Sequence, residues 1–228
     1  MGQILRVMSA NLWWGRAETE ALMALVRDLK VDALCCQELG FEQAEAISEE
    51  LAFGQLSPAS DASGTGIALR RPAEIEVVPM TYRALHVARL SPADWQGLSA
   101  PIELSSTHLA APHIKPYGSG PWIRRRQTRE IERYLLENPV ARRVLVGDFN
   151  ATPLWPAYRR IASQLTDAAV EVAQVSGRPV LPTWGPWIGS RRLLRIDHSF
   201  VRGITPLDFR VVRVPGSDHD AIVIDFSL

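Results

Sequence analysis

The 228-residue sequence is poor in cysteine, balanced to zero in charge and free of long apolar runs. Its two cysteines, Cys35 and Cys36, are adjacent in VDALCCQE. Neighbours of this kind rarely bridge, because the disulfide would be strained. They read as small buried residues of a reduced compartment, and nothing beside them marks a thiol nucleophile. Lys plus Arg and Asp plus Glu number 25 each, so the formal net charge is zero. That disfavours a protein that coats nucleic acid by bulk electrostatics, though not a local basic patch. No run approaches the ~18 apolar residues of a membrane span. There is no linker and no low-complexity tract. The opening QILRVMSANLW is strand-like and lacks the regions of a signal peptide. Met1 and Gly2 suggest myristoylation, but Arg6 stands where Ser or Thr is needed. These absences predict a cytoplasmic chain with no stable membrane insertion, and none of them implies an oligomer.

What is present is alternation. ILRVMSANLWW reads as a strand, and AETEALMALVRDLK spaces Ala21, Leu22, Leu25, Val26 and Leu29 as a helix does. VDALCCQE is a short buried strand and EQAEAISEEL a second helix, an α/β start compatible with parallel pairing. The middle changes character. GTGIALRR, AEIEVVPM, ALHVARL and PIELSSTHL are short strands divided by Pro, Gly and Ser, which suggests an antiparallel meander. The Gly- and Pro-rich loop AAPHIKPYGSGP leads into a helix from about Trp122 to Glu137. ARRVLVGDFN then reads as a strand, LWPAYRRIASQL as a helix and PTWGPWIGSRRLL as a loop. LRIDHSFV, LDFRVVRV and AIVIDFSL are the last strands. Hydrophobic content of 46% suits a sizeable core. The expected fold is one α/β domain over residues 1–228, two sheets with helices outside and strands from each half.

Polar residues recur where apolar runs stop. Asn11 follows VMSA, Gln37 and Glu38 follow ALCC, and His108 follows LSST. Asp148 and Asn150 follow VLVG, and Asp218 and His219 precede AIVIDF. Strand-to-loop junctions are where such sheets present sites. One by one these residues have plainer explanations: a turn cap at Asn11, a strand end at Glu38, turn acids at Asp148 and Asp218. Together they form a polar cluster. It is too poor in thiols and close-set histidines for structural zinc, and its oxygens suit a hard ion such as Mg²⁺ or Mn²⁺.

In order, SANLWW, QE, STHL, GDFNATP, RIDHSFV and GSDH resemble the endonuclease/exonuclease/phosphatase superfamily, the DNase I-like metal-dependent phosphoesterases. The resemblance covers the chain from about residue 4 onward, and GDFNATP is its most distinctive piece. NLWWGRAE and PGSDHDAIV also resemble a bacterial branch that includes phosphatases akin to vancomycin-resistance protein J. The resemblance implies a four-layered α/β sandwich, two packed mixed sheets flanked by helices. It implies Glu38 as main metal ligand, with Asn11 beside it and Asp218 completing the site. Asp148 would orient or deprotonate the attacking water, Asn150 would donate a hydrogen bond, and His108 would hold a phosphate oxygen. His219 would sit against the phosphate with Asp197 as its carboxylate partner.

That pairing explains why an apolar strand carries Asp197: a carboxylate accepting from an imidazole N–H fixes the ring and favours its charge. His198 points the other way on a regular strand and reads as a supporting or partly exposed residue. His108 has no identifiable carboxylate partner in the sequence. The expected activity is Mg²⁺-dependent hydrolysis of a phosphate ester, most naturally nucleic acid. Arg191, Arg192 and Arg195 would form a basic patch and Trp184 or Trp187 would line the substrate cleft, although taken alone these residues read more simply as surface charge and as core or loop packing. The alternatives are a phosphatase on a lipid-linked or small-molecule phosphate, and an inactive binding module on the same scaffold.

Overall fold

The computed structural model describes residues 4–114 and 118–228. Met1, Gly2, Gln3 and residues 115–117 of the Gly- and Pro-rich loop lie outside the described residues. The chain begins with β1 (Ile4–Asn11), α1 (Thr19–Asp28), β2 (Ala33–Gln37), α2 (Phe41–Glu50), β3 (Phe53–Ser57) and β4 (Thr65–Leu69). It continues through β5 (Glu74–Val78), β6 (Leu85–Leu90), β7 (Ile102–His108), α3 (Gly120–Glu137) and β8 (Arg143–Asp148). It ends with α4 (Pro156–Ala162), β9 (Thr166–Asp167), α5 (Ala168–Ser176), β10 (Asp197–Arg202), β11 (Pro206–Arg213) and β12 (Asp220–Ser227).

Alternation along the central strands builds the layers. In β2 every residue is buried. Ala33 and Cys35 enter an apolar cluster with Leu104, Val144 and Val146 of the other sheet, whereas Leu34 and Cys36 face Leu22, Val26 and Ile47 of α1 and α2. In β12 Ile222, Ile224 and Phe226 point between the sheets while Ala221 and Val223 point to the helices. A strand covered on both faces reads as an unbroken apolar run, with no alternation of polar and apolar letters. On the far side Leu145 and Phe200 pack against Ile131, Leu135 and Ile161 of α3 and α4. The result is helices, sheet, sheet, helices: the four-layered sandwich expected from the sequence.

The first sheet has the order β11-β12-β1-β2-β4-β3 and the second β5-β6-β7-β8-β10-β9. Among the described residues only β1–β2 and β7–β8 pair in parallel; the β5–β6–β7 meander is antiparallel. The first sheet therefore unites the two ends of the chain, and the second takes the middle.

Three elements escaped the sequence reading: β3, the two-residue β9 and α5. Strand β3 is mostly exposed at a sheet edge and has no apolar run to mark it. Helix α5 is short, yet its boundaries were legible. The Asp167 side chain accepts from the Ala169 and Val170 amides, and Gly177 closes the helix at φ 70°. The thiols are inert: burial pushes Cys35 up to about 12, and Cys36 upward as well. Among the described residues no helix is long and apolar enough to cross a membrane.

Candidate active site

Strand register brings the polar residues together. In the parallel β1–β2 pair Asn11 stands opposite Gln37, and Glu38 is the next residue. In the parallel β7–β8 pair His108 stands opposite Asp148, and antiparallel β10 places Asp197 opposite Asp148 on its other side. Gly147 makes this close approach feasible: at φ 141°, a Cβ there would meet the Thr107 carbonyl at 1.9 Å. His219 immediately precedes β12 and is bridged to Trp184. These ends surround a cleft of about 630 Å³ lined by Glu38, His108, Asp148, Asn150, Asp218 and His219.

Asp148 is the hub. Its Oδ2 accepts from Asn11 Nδ2 at 3.0 Å and Asn150 Nδ2 at 3.1 Å, and its Oδ1 accepts from the Asn150 amide at 2.7 Å. His219 Nε2 lies 3.8 Å and His108 Nε2 3.5 Å from the same Oδ2. Behind the cleft His219 Nδ1 meets Asp197 Oδ2 at 2.9 Å, and the Thr183 hydroxyl donates to that oxygen at 2.6 Å. Glu38 Oε2 accepts from the Trp14 amide at 3.1 Å.

Burial and charge then set the protonation states. Burial alone would keep His219 neutral. The Asp197 and Asp148 carboxylates outweigh it and lift the ring from 6.5 to about 10. Burial lifts Asp148 from 3.8 to about 7, against the restraining charge of His219. Glu38 is raised, chiefly by burial. His108 is driven well below 6.5, first by burial and then by the charges of Arg83 and His219. The cleft thus holds one protonated imidazole, one neutral imidazole and a carboxylate close to its transition at neutral pH. Perturbed groups of this kind cluster where proton transfer is done.

The pattern of the Endonuclease/Exonuclease/phosphatase family matches residues 8–219. The chain belongs to this family. The family's enzymes are hydrolases that act on phosphoester bonds with a divalent metal. Solved structures agree on the fold. D. rerio TDP2 humanized by 14 mutations is 20% identical with a TM-score of 0.73, covering 99% of each chain. The human Nocturnin catalytic domain with bound sulfate is 18% identical with a TM-score of 0.71, covering 100% of this chain and 96% of that one. A conserved protein of unknown function from Enterococcus faecalis V583 is 15% identical at 0.74, covering 98% and 99%. At these identities the likeness is one of fold. No curated protein matches the chain. None of these relatives is described as a glycopeptide-resistance phosphatase, so the resemblance to that branch is without support.

The donors in this family member's cleft fit a divalent ion. Asp218 Oδ1 is buried and without a partner, while its Oδ2 accepts from Trp184 Nε1 at 3.1 Å. With Glu38 it offers carboxylate oxygen, the ligand of hard cations. Asp148, Asp197 and His219 also bring ligand atoms within 4.8 Å of one another. Asp197 Oδ2, however, is already taken by Thr183 and His219. That set is better described as a hydrogen-bonded histidine held by its acid.

Several expectations need correcting. Asn11 turns its amide nitrogen toward Asp148 and Glu38 and gives its oxygen to the Trp13 amide, so it holds the carboxylates in place. Arg192 pairs with Asp220 at 2.6 Å and Arg195 with Asp167 at 2.7 Å; Arg191 is exposed away from the cleft lining. The basic patch is therefore largely consumed by structure. His198 is fully buried, bonded to the Ala151 carbonyl at 2.7 Å and packed among Phe149, Tyr158 and Phe200. Trp184 lines the cleft and Trp187 does not. The sequence reading missed Thr183, Arg83, Tyr82 and Trp155. Arg83 lines the cleft while donating to the Ala62 and Leu109 carbonyls. Nothing in TYRALH announces that role.

Proposed function

We propose that this chain is a Mg²⁺-dependent phosphodiesterase acting on nucleic acid, with Mn²⁺ able to replace Mg²⁺. The observation that carries the reading is His219, held by Asp197 at 2.9 Å and facing Asp148 at 3.8 Å, in one cleft with Glu38 and Asp218. The TDP2 neighbour solved with a single-strand DNA product supports nucleic acid as the substrate.

Glu38 and Asp218 are the residues to hold the ion, which would neutralise charge on the phosphate oxygens. Asp148 aligns the attacking water and takes its proton, a role that suits an acid lifted to about 7. The Asn11 and Asn150 amides fix Asp148 in that orientation. His219 presents Nε2–H to the phosphoryl oxygen, where negative charge accumulates in the transition state. Its other nitrogen is engaged by Asp197, so the ring cannot rotate away. Neutral His108 adds a polar contact beside Asp148.

A second reading, a phosphatase on a lipid-linked phosphate, is favoured by the exposed Trp187, Ile188 and Leu193 on the loop after Trp184. One panel separates them: plasmid DNA, single-stranded DNA, RNA, bis-p-nitrophenyl phosphate and a polyprenyl pyrophosphate, each with Mg²⁺, Mn²⁺ or EDTA. Metal-dependent strand cleavage supports the first. Free phosphate released from the pyrophosphate without strand cleavage replaces it with the second. No turnover on any of them favours a binding module.

A further inference from the structure

Among the described residues six non-glycine positions have positive φ, and five line the cleft: Trp13 (47°), Trp14 (58°), Glu38 (53°), Tyr82 (76°) and Asn150 (47°). Left-handed backbone is costly for bulky side chains and persists where the surroundings enforce it. Glu38 and Asn150 belong to the machinery described above. Trp13, Trp14 and Tyr82 are aromatic and take no part in that chemistry through their rings.

Arginines stack on these rings. The Arg16 guanidinium lies 4.7 Å from the Trp13 ring centre and 5.4 Å from that of Trp14, and Arg83 lies 4.5 Å from that of Tyr82. Trp14 and Tyr82 nevertheless remain 51% and 50% exposed. A half-open ring backed by a cation offers a flat surface to a second flat group and positive charge to an adjoining phosphate. The strain has a further use. The Trp13 amide donates to Asn11 Oδ1 at 2.9 Å and the Trp14 amide to Glu38 Oε2 at 3.1 Å. One left-handed turn therefore holds the acidic cluster and sets the rings at its edge. A cleft of about 630 Å³ falls within the range of small-ligand pockets, room enough for a few splayed nucleotides.

We propose that Trp14 and Tyr82, backed by Arg16 and Arg83, form a stacking subsite for the unpaired bases that flank the scissile phosphate. This deepens the nuclease reading of the same cleft and rests on it. Stacking on aromatic side chains tolerates any base and demands that the base be unpaired.

The test compares fluorescently labelled hexathymidylate, an abasic strand of the same length and the hexathymidylate duplex, by anisotropy in EDTA at one salt concentration. The wild-type protein should bind hexathymidylate roughly 5- to 150-fold more tightly than the abasic strand, the range expected for one stacked base. Trp14→Gly and Tyr82→Gly should each shrink that ratio toward one; glycine suits the left-handed backbone, so the turn is retained. Trp14→Phe should keep the preference. Equal binding of thymidylate and abasic strands by the wild type, or a ratio unmoved in both glycine variants, overturns the proposal, as does a preference for duplex. Turnover with Mg²⁺ is read separately. Cleavage without base preference rejects the subsite and leaves the nuclease reading intact. Base preference without cleavage does the reverse.

Discussion

Strands β7 and β8 carry paired charges at both ends, and the two ends are built on opposite principles. At one end Arg143 and Glu103 are side by side and fully buried, at 2.6 Å. Every neighbour helps: Tyr134 donates to Glu103, and Arg143 also donates to the Leu135 and Asn138 carbonyls. At the other end His108 faces Asp148 amid Glu38, Asp197 and Asp218, with Asp218 Oδ1 and His108 Nδ1 left unpartnered. Opposite charges with complete hydrogen bonding make the first end inert. Crowded acids with open valences make the second reactive. The same pair of strands thus anchors the fold below and displays strained chemistry above.

Substitutions should separate the two ends. Arg143→Met leaves Glu103 buried without its cation and should cost about 3–5 kcal/mol in denaturant unfolding, with turnover per folded molecule unchanged. At the cleft Asp148→Ala or His219→Ala should lower turnover by at least ~10²–10³. Asp148→Ala should not lower the melting temperature, because it removes one of several crowded acids. A variant with near-normal turnover would remove its residue from the mechanism.

Divalent ion should act on one end only. At a concentration ~100 times its Kd, Mg²⁺ or Mn²⁺ should raise unfolding free energy by about 2.7 kcal/mol, and Glu38→Gln should abolish the gain while Arg143→Met retains it.

The smallest effect is a pH slope. His198 sits at about 4 because it is buried, against 6.5 when unfolded. Between those values the unfolded chain binds the extra proton, so stability falls as pH drops from 6.5 toward 4. The slope is at most ~1.4 kcal/mol per pH unit. His86, also at about 4, acts in the same direction. Asp148 opposes them, since its raised value favours the folded state as pH falls from 7 toward 3.8. His219 contributes on the alkaline side: its stabilisation is complete below 6.5 and is lost as pH rises through about 10. His198→Phe, measured against wild type in EDTA, should flatten the acid limb alone. An unchanged limb would show that His198 does not supply that slope.

The inert end and the reactive end were not equally legible. The buried runs around Cys35, Val144 and Ile222 gave away the central strands, because residues covered on both faces must be apolar. The strand-end letters Glu38, His108, Asp148, Asn150, Asp218 and His219 marked the cleft only as a set, because each alone is explained as well by a turn or a strand end. Asp197 was legible as a misfit in an apolar strand, whereas its partner His219 came only from the family resemblance. Residues that act through tertiary placement left no trace. Arg83 and Tyr82 reach the cleft from a loop between β5 and β6. Thr183, fourteen residues before Asp197, meets it only because the intervening loop folds back. Arg192 misled for the same reason: its partner Asp220 lies across the fold, and local sequence showed only a cation.

The most direct test is an anomalous-scattering map from crystals soaked in Mn²⁺. A peak bound by Glu38 and Asp218 carboxylate oxygens, with His219 still paired to Asp197, is the predicted result. A peak on Asp197 and His219 themselves, or none in the cleft, would contradict it.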